Sequence, residues 1–564
     1  MTSTLFSQLD LGKRSLQAQQ AGMSVAGHNI ANVNNDEYSR QRVDLDSQHP
    51  HKSRFGAGVD LKGVERIADR FVNQRYIAEQ SRGGAMDIRH NGLKRVENIF
   101  SEIEGHGLRN ALNEFWDAWG RLASNPEAEI ARSDLINTSK TLADRVQGMW
   151  GDLSTLRREF NGRISERVEQ VNQLAKELAR LNKLVQQAER GAGETNDLRD
   201  KREAVLKDLS KIVQVDWFED EDNLINVSIG NGFPLVLGRD ANRMEASMAQ
   251  GPNGDFTLRG LDENGVARDL TGELRSGELK ELVQMRDETV VHFQERLDQL
   301  ASELAYRVNK LHSTGTGLQA SHESLRSSFA MKSDALDKPL PFLKDGSFEL
   351  TLVDENGDAL ETYEIGVDAG KDSVRDIVQR INRTVGPEAK TFEARLNDDG
   401  SVTLASESPY RFVLGEDSSD FVVMMGFNNY FETLHGARDF RVNERLVEKP
   451  THISTGKNLL PGDNQVALGI HELQFEPSMQ GDSITFDEFY NGMMSDLGLM
   501  VNRSQADKEN QELVLDEFKR LRDEISSVNM DEEVADMVQY QRGFDASAKF
   551  LSNVDEMTRT VISM

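Results

Sequence analysis

The stretch SVNMDEEVADMVQYQRGFDASAKFLSNVDEMTRTVISM, residues 527–564, decides how the rest of the chain is read. Asn529 is a residue type that caps helix N-termini. Asp531, Glu532 and Glu533 then put negative charge in the first turn, where the helix dipole favours it. The stretch has no proline and a single glycine, Gly543. Met530, Val534, Met537, Gln541, Phe544, Ala548, Leu551, Asp555, Thr558 and Ile562 advance by alternating steps of four and three. That is a heptad seam, apolar at first and more polar toward its end. An amphipathic helix of this kind needs a partner for its apolar stripe.

The opposite end offers one. Leu5, Leu9, Gly12, Leu16, Gln19, Met23, Ala26 and Ile30 keep the same rhythm. At ~1.5 Å per residue each helix would span about 40–50 Å. Two complementary amphipathic helices at the two ends imply a chain that leaves one place and returns to it. Periodicity of this kind also fits ordinary core packing.

At 564 residues the chain exceeds a single core and fits three or four domains. Its 66 basic and 95 acidic residues leave a formal charge of −29. That argues against nucleic acid or an anionic membrane as main partner. The apolar run Phe421–Phe427 is far short of a membrane span. The N-terminus does not read as a signal peptide, because Lys13 and Arg14 follow the first apolar residues and no small-residue cleavage site closes an apolar run. There is no cysteine, which excludes disulfides, thiolate metal sites and a Cys nucleophile. A cytosolic protein and one exported without oxidation are both compatible with that count.

After the first helix, the asparagine-rich run from His28 has the short polar side chains that end helices and turn chains. Tyr38–Leu45 reads as extended, and another helix begins near Ile67. The helical pattern continues to Ser124, with breaks expected at Gly83-Gly84 and Gly105–Gly107 and with Trp116 and Trp119 as core residues. Helices resume from Ile130 to Glu189, where Ile164, Val168, Val171, Ala175, Leu178 and Val185 form a second heptad seam. The chain turns at Gly191–Gly193 and returns as Thr195–Val213. From Val215 to Leu270 short alternating strands are punctuated by Gly230-Asn231-Gly232, Asn253-Gly254 and Asn264-Gly265. A long helix follows from Gly277 to about Leu311. Lys338 to about Phe431 reads as an α+β module, with a hairpin at Asn356-Gly357 and a helix at Val374–Val385. Arg438–Gln480 is polar and lacks an apolar stripe, so it reads as a return linker. Thr485-Phe486-Asp487-Glu488 is a capping box that opens the last helical run.

The fold class is therefore mainly α with β-rich insertions: paired N- and C-terminal coiled-coil helices, a long helical bundle core, and strand-rich or α+β inserted modules. The expected domains are residues 1–65 with 525–564 (terminal coiled coil) and 66–214 with 276–325 and 481–524 (helical core). Residues 215–275 form a β-rich insertion, 326–450 an α+β insertion and 451–480 the return linker.

The ends resemble a known family, the axial proteins of the bacterial flagellum. Ser24–Gln41, an apolar helix ending in Asn29-Ile30-Ala31-Asn32 and leading to Tyr38-Ser39-Arg40-Gln41, is similar to the family's N-terminal rod-and-hook signature. Gly58-Val59, Glu65-Arg66-Ile67 and Asp69-Arg70-Phe71 are similar to the step that follows it. Val528–Glu533 and Tyr540–Lys549 resemble the C-terminal signature. In the middle, Asn196–Glu203 with Leu206–Val213, and Gly277–Asn309 through Arg286-Asp287-Glu288, resemble the hook-associated branch that joins hook to filament. The resemblance covers both ends and the helical middle, and only loosely the module 338–431. One departure stands out: the family's usual Thr-x-Gly-Tyr turn is Asn35-Asp36-Glu37-Tyr38 here. Glu37 in the glycine's place would be strained if the backbone there were left-handed.

The resemblance implies a secreted, extracellular structural protein at the hook–filament junction, polymerising as a ring through its terminal helices and using no cofactor. The implied partners are further copies of the chain, the hook protein, the second hook-associated junction protein, a cytosolic export chaperone at the C-terminal helix, and the flagellar type III export apparatus. Neither nucleic acid nor membrane insertion is implied. The implied assembly interface packs Leu5, Leu9, Leu16 and Met23 against Val534, Met537, Phe544 and Leu551, within and between subunits. Tyr540, Gln541 and Ala548 lie on the same C-terminal helix. Asn29, Asn32, Tyr38, Arg40 and Gln41 would fix the turn that leaves the tube wall, although asparagines at a helix end also serve as plain caps.

No catalytic, cofactor-binding or metal-ligating residue is expected. The 11 histidines include no His-Glu-x-x-His arrangement, and none of the carboxylate pairs sits in a glycine-framed motif. Asp354–Asp358 spaces oxygens like the start of a calcium loop, but Ala359 stands at the required glycine and Ile365 at the final glutamate, which leaves a hairpin turn. The rivals are another axial component (hook, distal rod or second junction protein), a peptidoglycan hydrolase of the kind some flagellar assembly proteins carry, and a cytosolic coiled-coil scaffold. The scaffold leaves the turn signature unexplained.

Overall fold

The computed structural model describes residues 2–47, 58–101, 107–190, 195–248, 254–318, 321–332, 335–340, 343–385, 392–460 and 462–563. In chain order, helix α1 (Thr2–Ala31) precedes strands β1 (Gln41–Ser47) and β2 (Val59–Arg66). Helices α2 (Arg70–Ile99), α3 (Leu108–Ser124), α4 (Glu129–Arg190) and α5 (Asn196–Ile212) follow. Next come strands β3 (Val215–Glu219), β4 (Ile225–Ile229), β5 (Phe233–Leu237), β6 (Asp240–Ala241), β7 (Arg243–Met248), β8 (Phe256–Leu261) and β9 (Ala267–Asp269). One π-helical turn, Met285–Thr289, joins α6 (Glu278–Gln284) to α7 (Val290–His312). The inserted module holds β10 (Ser324–Arg326), β11 (Gly346–Val353), β12 (Ala359–Val367), α8 (Val374–Thr384), β13 (Phe392–Leu396), β14 (Val402–Ser406) and β15 (Arg411–Asp417). Short helices α9 (Phe421–Met425), α10 (Glu444–Glu448) and α11 (Gln465–Glu472) lead to α12 (Phe486–Ser526) and α13 (Met530–Ser563). The chain is mainly α with β-rich insertions, as its sequence predicts.

Met1–Gly92, Arg158–Arg286 and Asn502–Met564 form one compact unit. Within it the heptad residues of α4, Ile164, Val168, Val171, Ala175, Leu178 and Val185, are all buried. Two antiparallel sheets, ordered β3-β4-β5-β6 and β7-β8-β9, are tied to α4 by asparagines. Asn172 donates to the Met244 carbonyl and accepts from the Met244 N–H, both at 2.8 Å. Asn182 does the same with Ile225, at 2.8 and 3.1 Å, and Asn161 bridges Gly254 and Phe256. A side-chain amide carries both a donor and an acceptor, so it can close a strand's open backbone pair. Gly83 and Gly84, expected to break a helix, lie inside α2. A Cβ on Gly83 would stand 2.7 Å from Leu515 Cδ1, and one on Gly84 would overlap the Lys211 carbonyl oxygen. They permit close approach of neighbouring elements rather than a break. Gly105, His106, Gly191–Gly193 and Asn253 lie outside the described residues.

Leu93–Arg157 and Asp287–Val501 form the second unit. Trp116 and Trp119 are buried as expected, and Trp119 packs on Tyr430 with ring centroids 5.1 Å apart. The inserted module has two three-stranded antiparallel sheets, β12-β11-β15 and β10-β14-β13. With α8, which opens on a Ser373–Asp376 capping box, they enclose a core that includes Phe348, Ile377, Ile381 and Phe412. The calcium-like stretch is the hairpin turn: Asp354 Oδ1 accepts the N–H groups of Asn356 and Asp358, each at 2.9 Å. Among the described residues no cluster of three or more His, Asp or Glu could hold a metal, and no helix is long and apolar enough to cross a membrane.

The segment expected to be a loose return linker is packed. Leu446, Ile453, Val466, Ile470 and Met479 are buried, and α11 lies against α3. The buried Arg132 guanidinium donates to the carbonyls of Pro126 and Ile453, at 2.7 and 2.6 Å, and to the Thr455 hydroxyl. Pieces this short carry no periodic stripe, so their burial leaves no pattern in the sequence. The Thr485–Glu488 capping box forms as read, with reciprocal bonds of 2.8 and 3.1 Å.

Candidate assembly interface

Helices α1 and α13 pair antiparallel, residues further up one meeting residues further down the other. A Cβ on Gly12 would stand 2.7 Å from Leu551 Cδ1. Ser15 Oγ meets Ser547 Oγ at 2.7 Å. Gln19 lies over Gly543, the Tyr540 ring lies over Gly22, and Asn29 reaches Glu533 at 2.9 Å. Gly12, Ser15, Gln19, Gly22 and Asn29 advance by three, four, three and seven, so the seam keeps the heptad period, with small residues at Gly12, Ser15 and Gly22. A β1–β2 hairpin packs on α1 as well, with Leu11 against Gly58.

The expected seam is met in part: Gly12, Gln19 and Leu551 lie in it and Ala26 is buried, but Ser15, Gly22 and Asn29 join them where the leucines were expected. Leu9, Leu16 and Met23 are half-buried at the flank of the seam, and the side chain of Leu5 lies outside the described set. On α13, Tyr540, Phe544, Ala548 and Leu551 are half-buried, while Val534 and Met537 are 42% and 37% exposed and Gln541 is exposed. Val534 and Met537 thus keep part of their apolar surface uncovered within the chain. Periodicity sets the spacing of a seam. Which neighbouring stripe becomes the seam depends on close approach, which glycine allows and leucine does not.

At the inner end of the pair, three stretches far apart in sequence meet. Asn29 is 1% exposed and uses its whole amide. Its Nδ2 donates to the Gln41 carbonyl and to Glu533 Oε2, both at 2.9 Å. Its Oδ1 accepts from the Tyr38 hydroxyl at 2.7 Å and from the Gln41 N–H at 3.0 Å. Arg40 Nε donates to the buried Glu533 at 2.7 Å and Arg40 Nη1 to Glu532 at 2.9 Å. The Arg40 peptide N–H donates to the Ser526 carbonyl. From α5, Asp197 accepts from Gln41 Nε2, and Asp200 accepts from the Ser39 N–H and from Arg66. Partial burial disfavours the Arg40 charge, but Glu533 and Glu532 outweigh it and hold its pKa above the ordinary arginine value. For Arg66, burial is likewise outweighed by Glu203 and Asp200.

Of the predicted turn residues, Asn29, Tyr38, Arg40 and Gln41 are thus brought together. Asn32 is not among them: its Nδ2 donates to the His28 carbonyl, so it caps its own helix. Glu37 is free of the strain considered for it, since the left-handed non-glycine residues among those described are Asn223, Asp420, Asn428, Gln480 and Asp482. Asn35 Oδ1 accepts the Glu37 N–H and its carbonyl accepts the Tyr38 N–H, an Asx turn that needs no glycine. Glu533, Asp197 and Asp200 were missed as joint residues. Glu533 and Asp197 read as ordinary first-turn acids and Asp200 as a charge one turn further on, and their joint role shows only when their partners are folded around them.

The chain is similar to known proteins along most of its length. Residues 93–324 match the flagellar hook-associated protein FlgK helical domain, and 522–564 match the flagellar basal body rod FlgEFG protein C-terminal family. The flagellar hook-associated protein 1 of Bacillus subtilis is 25% identical over 577 residues, covering 100% of this chain and 99% of its own. That of Escherichia coli is 23% identical, covering 97% and 98%. In fold, the flagellar hook junction protein FlgK from Burkholderia pseudomallei superposes with a TM-score of 0.52 at 15% identity, covering 80% of this chain and 99% of that one. The chain is an axial structural protein of the bacterial flagellum. Within that class it is similar over its full length to the flagellar hook-associated proteins 1.

Proposed function

We propose that the chain forms the junction between hook and filament by polymerising through α1 and α13. The observation that carries this reading is the apolar stripe left on the paired helices: Met530, Val534, Met537 and Val538 are all exposed on the first turns of α13. Contiguous apolar surface of this kind is a site of association. Further along the same pair Leu9, Leu16, Met23, Phe544, Ala548 and Leu551 are half-buried, and Asn29 and Arg40 tie the start of α13 to the end of α1 and β1 through Glu533. Neighbouring copies, the hook protein and the second junction protein are the partners that would cover the stripe. Before assembly, a cytosolic chaperone would cover it on α13, and the type III export apparatus would carry the chain out to the extracellular flagellum. The role is structural and not enzymatic. The terminal pair (1–65 with 525–564) is the assembling domain, and the insertions 215–275 and 326–450 are modules outside it.

Electron microscopy of cells making only a chain truncated before Asn529 tests the reading, with the medium assayed for free flagellin. Bare hooks with flagellin lost to the medium are expected. Absence of hooks would move the chain to rod or hook, and normal filaments would sink the proposal.

A further inference from the structure

The chain contains seven Asn-Gly pairs, and the fold leaves them in different chemical positions. An asparagine before a glycine is open to attack on its own side chain, because the next peptide nitrogen can close a five-membered ring and no Cβ shields it. That attack needs a free N–H. Gly92, Gly162 and Gly492 lie inside α2, α4 and α12, where backbone N–H groups are engaged by the helix. Gly265 donates to the Asp262 carbonyl at 2.9 Å, and Gly357 to the Asp354 carbonyl at 3.1 Å. Gly232, exposed in the β4–β5 turn, donates its N–H to no acceptor among the described residues. Its neighbour Asn231 has a guanidinium at each of its two oxygens. Arg268 Nη2 donates to the backbone carbonyl at 3.3 Å, and Arg275 Nη2 donates to Oδ1 at 3.4 Å. Arg268 is held in place by Glu273, at 2.9 Å.

We propose that Asn231-Gly232 is a self-modifying site, at which the folded chain converts the Asn231 side-chain amide to a carboxylate. The Gly232 nitrogen gives its proton to water and attacks Asn231 Cγ. The N–Cγ bond forms, the Cγ–Nδ2 bond breaks, and ammonia leaves with a proton taken from solvent. One water then opens the succinimide at either carbonyl, giving an aspartyl or isoaspartyl linkage. The net change is an amide nitrogen exchanged for an oxygen, with no oxidant or reductant. Arg268 acts on the nucleophile: the carbonyl it contacts belongs to the same peptide group as the Gly232 N–H, so positive charge there makes that N–H more acidic. Arg275 acts on the electrophile, stabilising the negative charge that develops on Oδ1. The new carboxylate faces both guanidinium groups. It therefore ties the turn of the β3-β4-β5-β6 sheet to Arg268 on β9, in the β7-β8-β9 sheet.

Peptide mapping by mass spectrometry tests this on the folded full chain held at mildly alkaline pH, reading the gain of about one dalton at each Asn-Gly pair. Asn231 is expected to convert about tenfold faster, or more, than the helical pairs or Asn264 and Asn356. Arg268→Met and Arg275→Met are each expected to slow it about threefold, a modest factor because both arginines are exposed. Their ion pairs lie at the surface, so both variants should keep the fold, checked by the helical circular dichroism signal. In urea the lead of Asn231 over the other pairs should vanish, because the fold creates it. Equal rates at these pairs in the folded chain, a lead that persists in urea, or a rate unchanged by both arginine variants overturns the proposal.

Discussion

Asn29 illustrates what one buried amide can hold. Asn29→Leu fills the space but leaves the Tyr38 hydroxyl, the Gln41 peptide and Glu533 each short of a partner. The expected cost is about 2–4 kcal/mol, read as lost hydrogen-exchange protection in the last turns of α1 and the first of α13. Arg40→Ala strands the buried Glu533 carboxylate and should cost about 3 kcal/mol. Arg42→Ala is the control: its pair with Glu65, at 3.8 Å, is exposed on both sides and is worth under ~1 kcal/mol. Equal losses at the two arginines would remove Arg40 from the joint. In the second unit, His312 is a titrating group with a defined sign. Its Nδ1 faces the Asn428 carbonyl at 2.7 Å and its Nε2 accepts the Ser454 N–H at 3.0 Å, so the folded site takes the neutral ring. Burial pushes its pKa down to about 4 against 6.5, the Asn428 bond opposing and Arg445 and Arg132 adding. Between those values the unfolded chain binds more protons. Stability is complete above pH 6.5 and falls as pH drops toward 4, by roughly 1.4 kcal/mol per unit for this group. His322 and His452, beside Arg445, shift the same way. The melting midpoint of the second unit should fall between pH 7 and pH 5, and His312→Gln should remove its share of that slope.

Helix pairing shows how small residues set an interface. A Cβ on Gly22 would stand 2.5 Å from the Tyr540 ring, whereas one on Gly27 would meet nothing within 4 Å. Gly22→Val is expected to force α1 and α13 apart at a cost of about 1–3 kcal/mol. Gly27→Ala should gain about 0.5–1 kcal/mol, since glycine in a helix interior is entropically costly. Thermal unfolding followed by the helical circular dichroism signal separates the two. Tyr540→Leu should recover part of the Gly22→Val loss in a double-mutant cycle; independent effects would mean that the two residues do not touch.

The exposed stripe on α13 and the charge of the chain make opposite demands on assembly. Val534→Lys with Met537→Lys changes side chains that face solvent within the chain, so the variant should keep its melting temperature and lose incorporation into flagella. A comparable drop in melting temperature would place these residues in the fold instead. With a formal charge of −29, copies brought side by side repel one another. Self-association of the purified chain should therefore rise with ionic strength from about 0.05 to 0.5 M, as the Debye length shrinks. Association that weakens with salt would point to ion pairs as the main contact.

Much was legible in order along the chain. The heptads of α1, α4 and α13, the Asn529 cap, the Thr485 capping box and the Asn356-Gly357 turn are local patterns, and local backbone geometry obeys them. The three stretches that meet at the joint could also be singled out as motifs. Their meeting could not, because Glu533 and Asp200 read as solvated acids until Arg40 and Arg66 fold against them. Nor could the full seam: Gly12 and Gln19 belong to the period read from the sequence, but period alone does not say that Ser15, Gly22 and Asn29 join them ahead of Leu16 and Met23. That choice falls to close packing between two helices more than 500 residues apart in the chain. The packed segment around Ile453 and Val466 belongs to the same class, since its burial comes from neighbours rather than from any repeat of its own. Local pattern, in this chain, names the elements; partners distant in sequence decide which of their faces and charges are hidden.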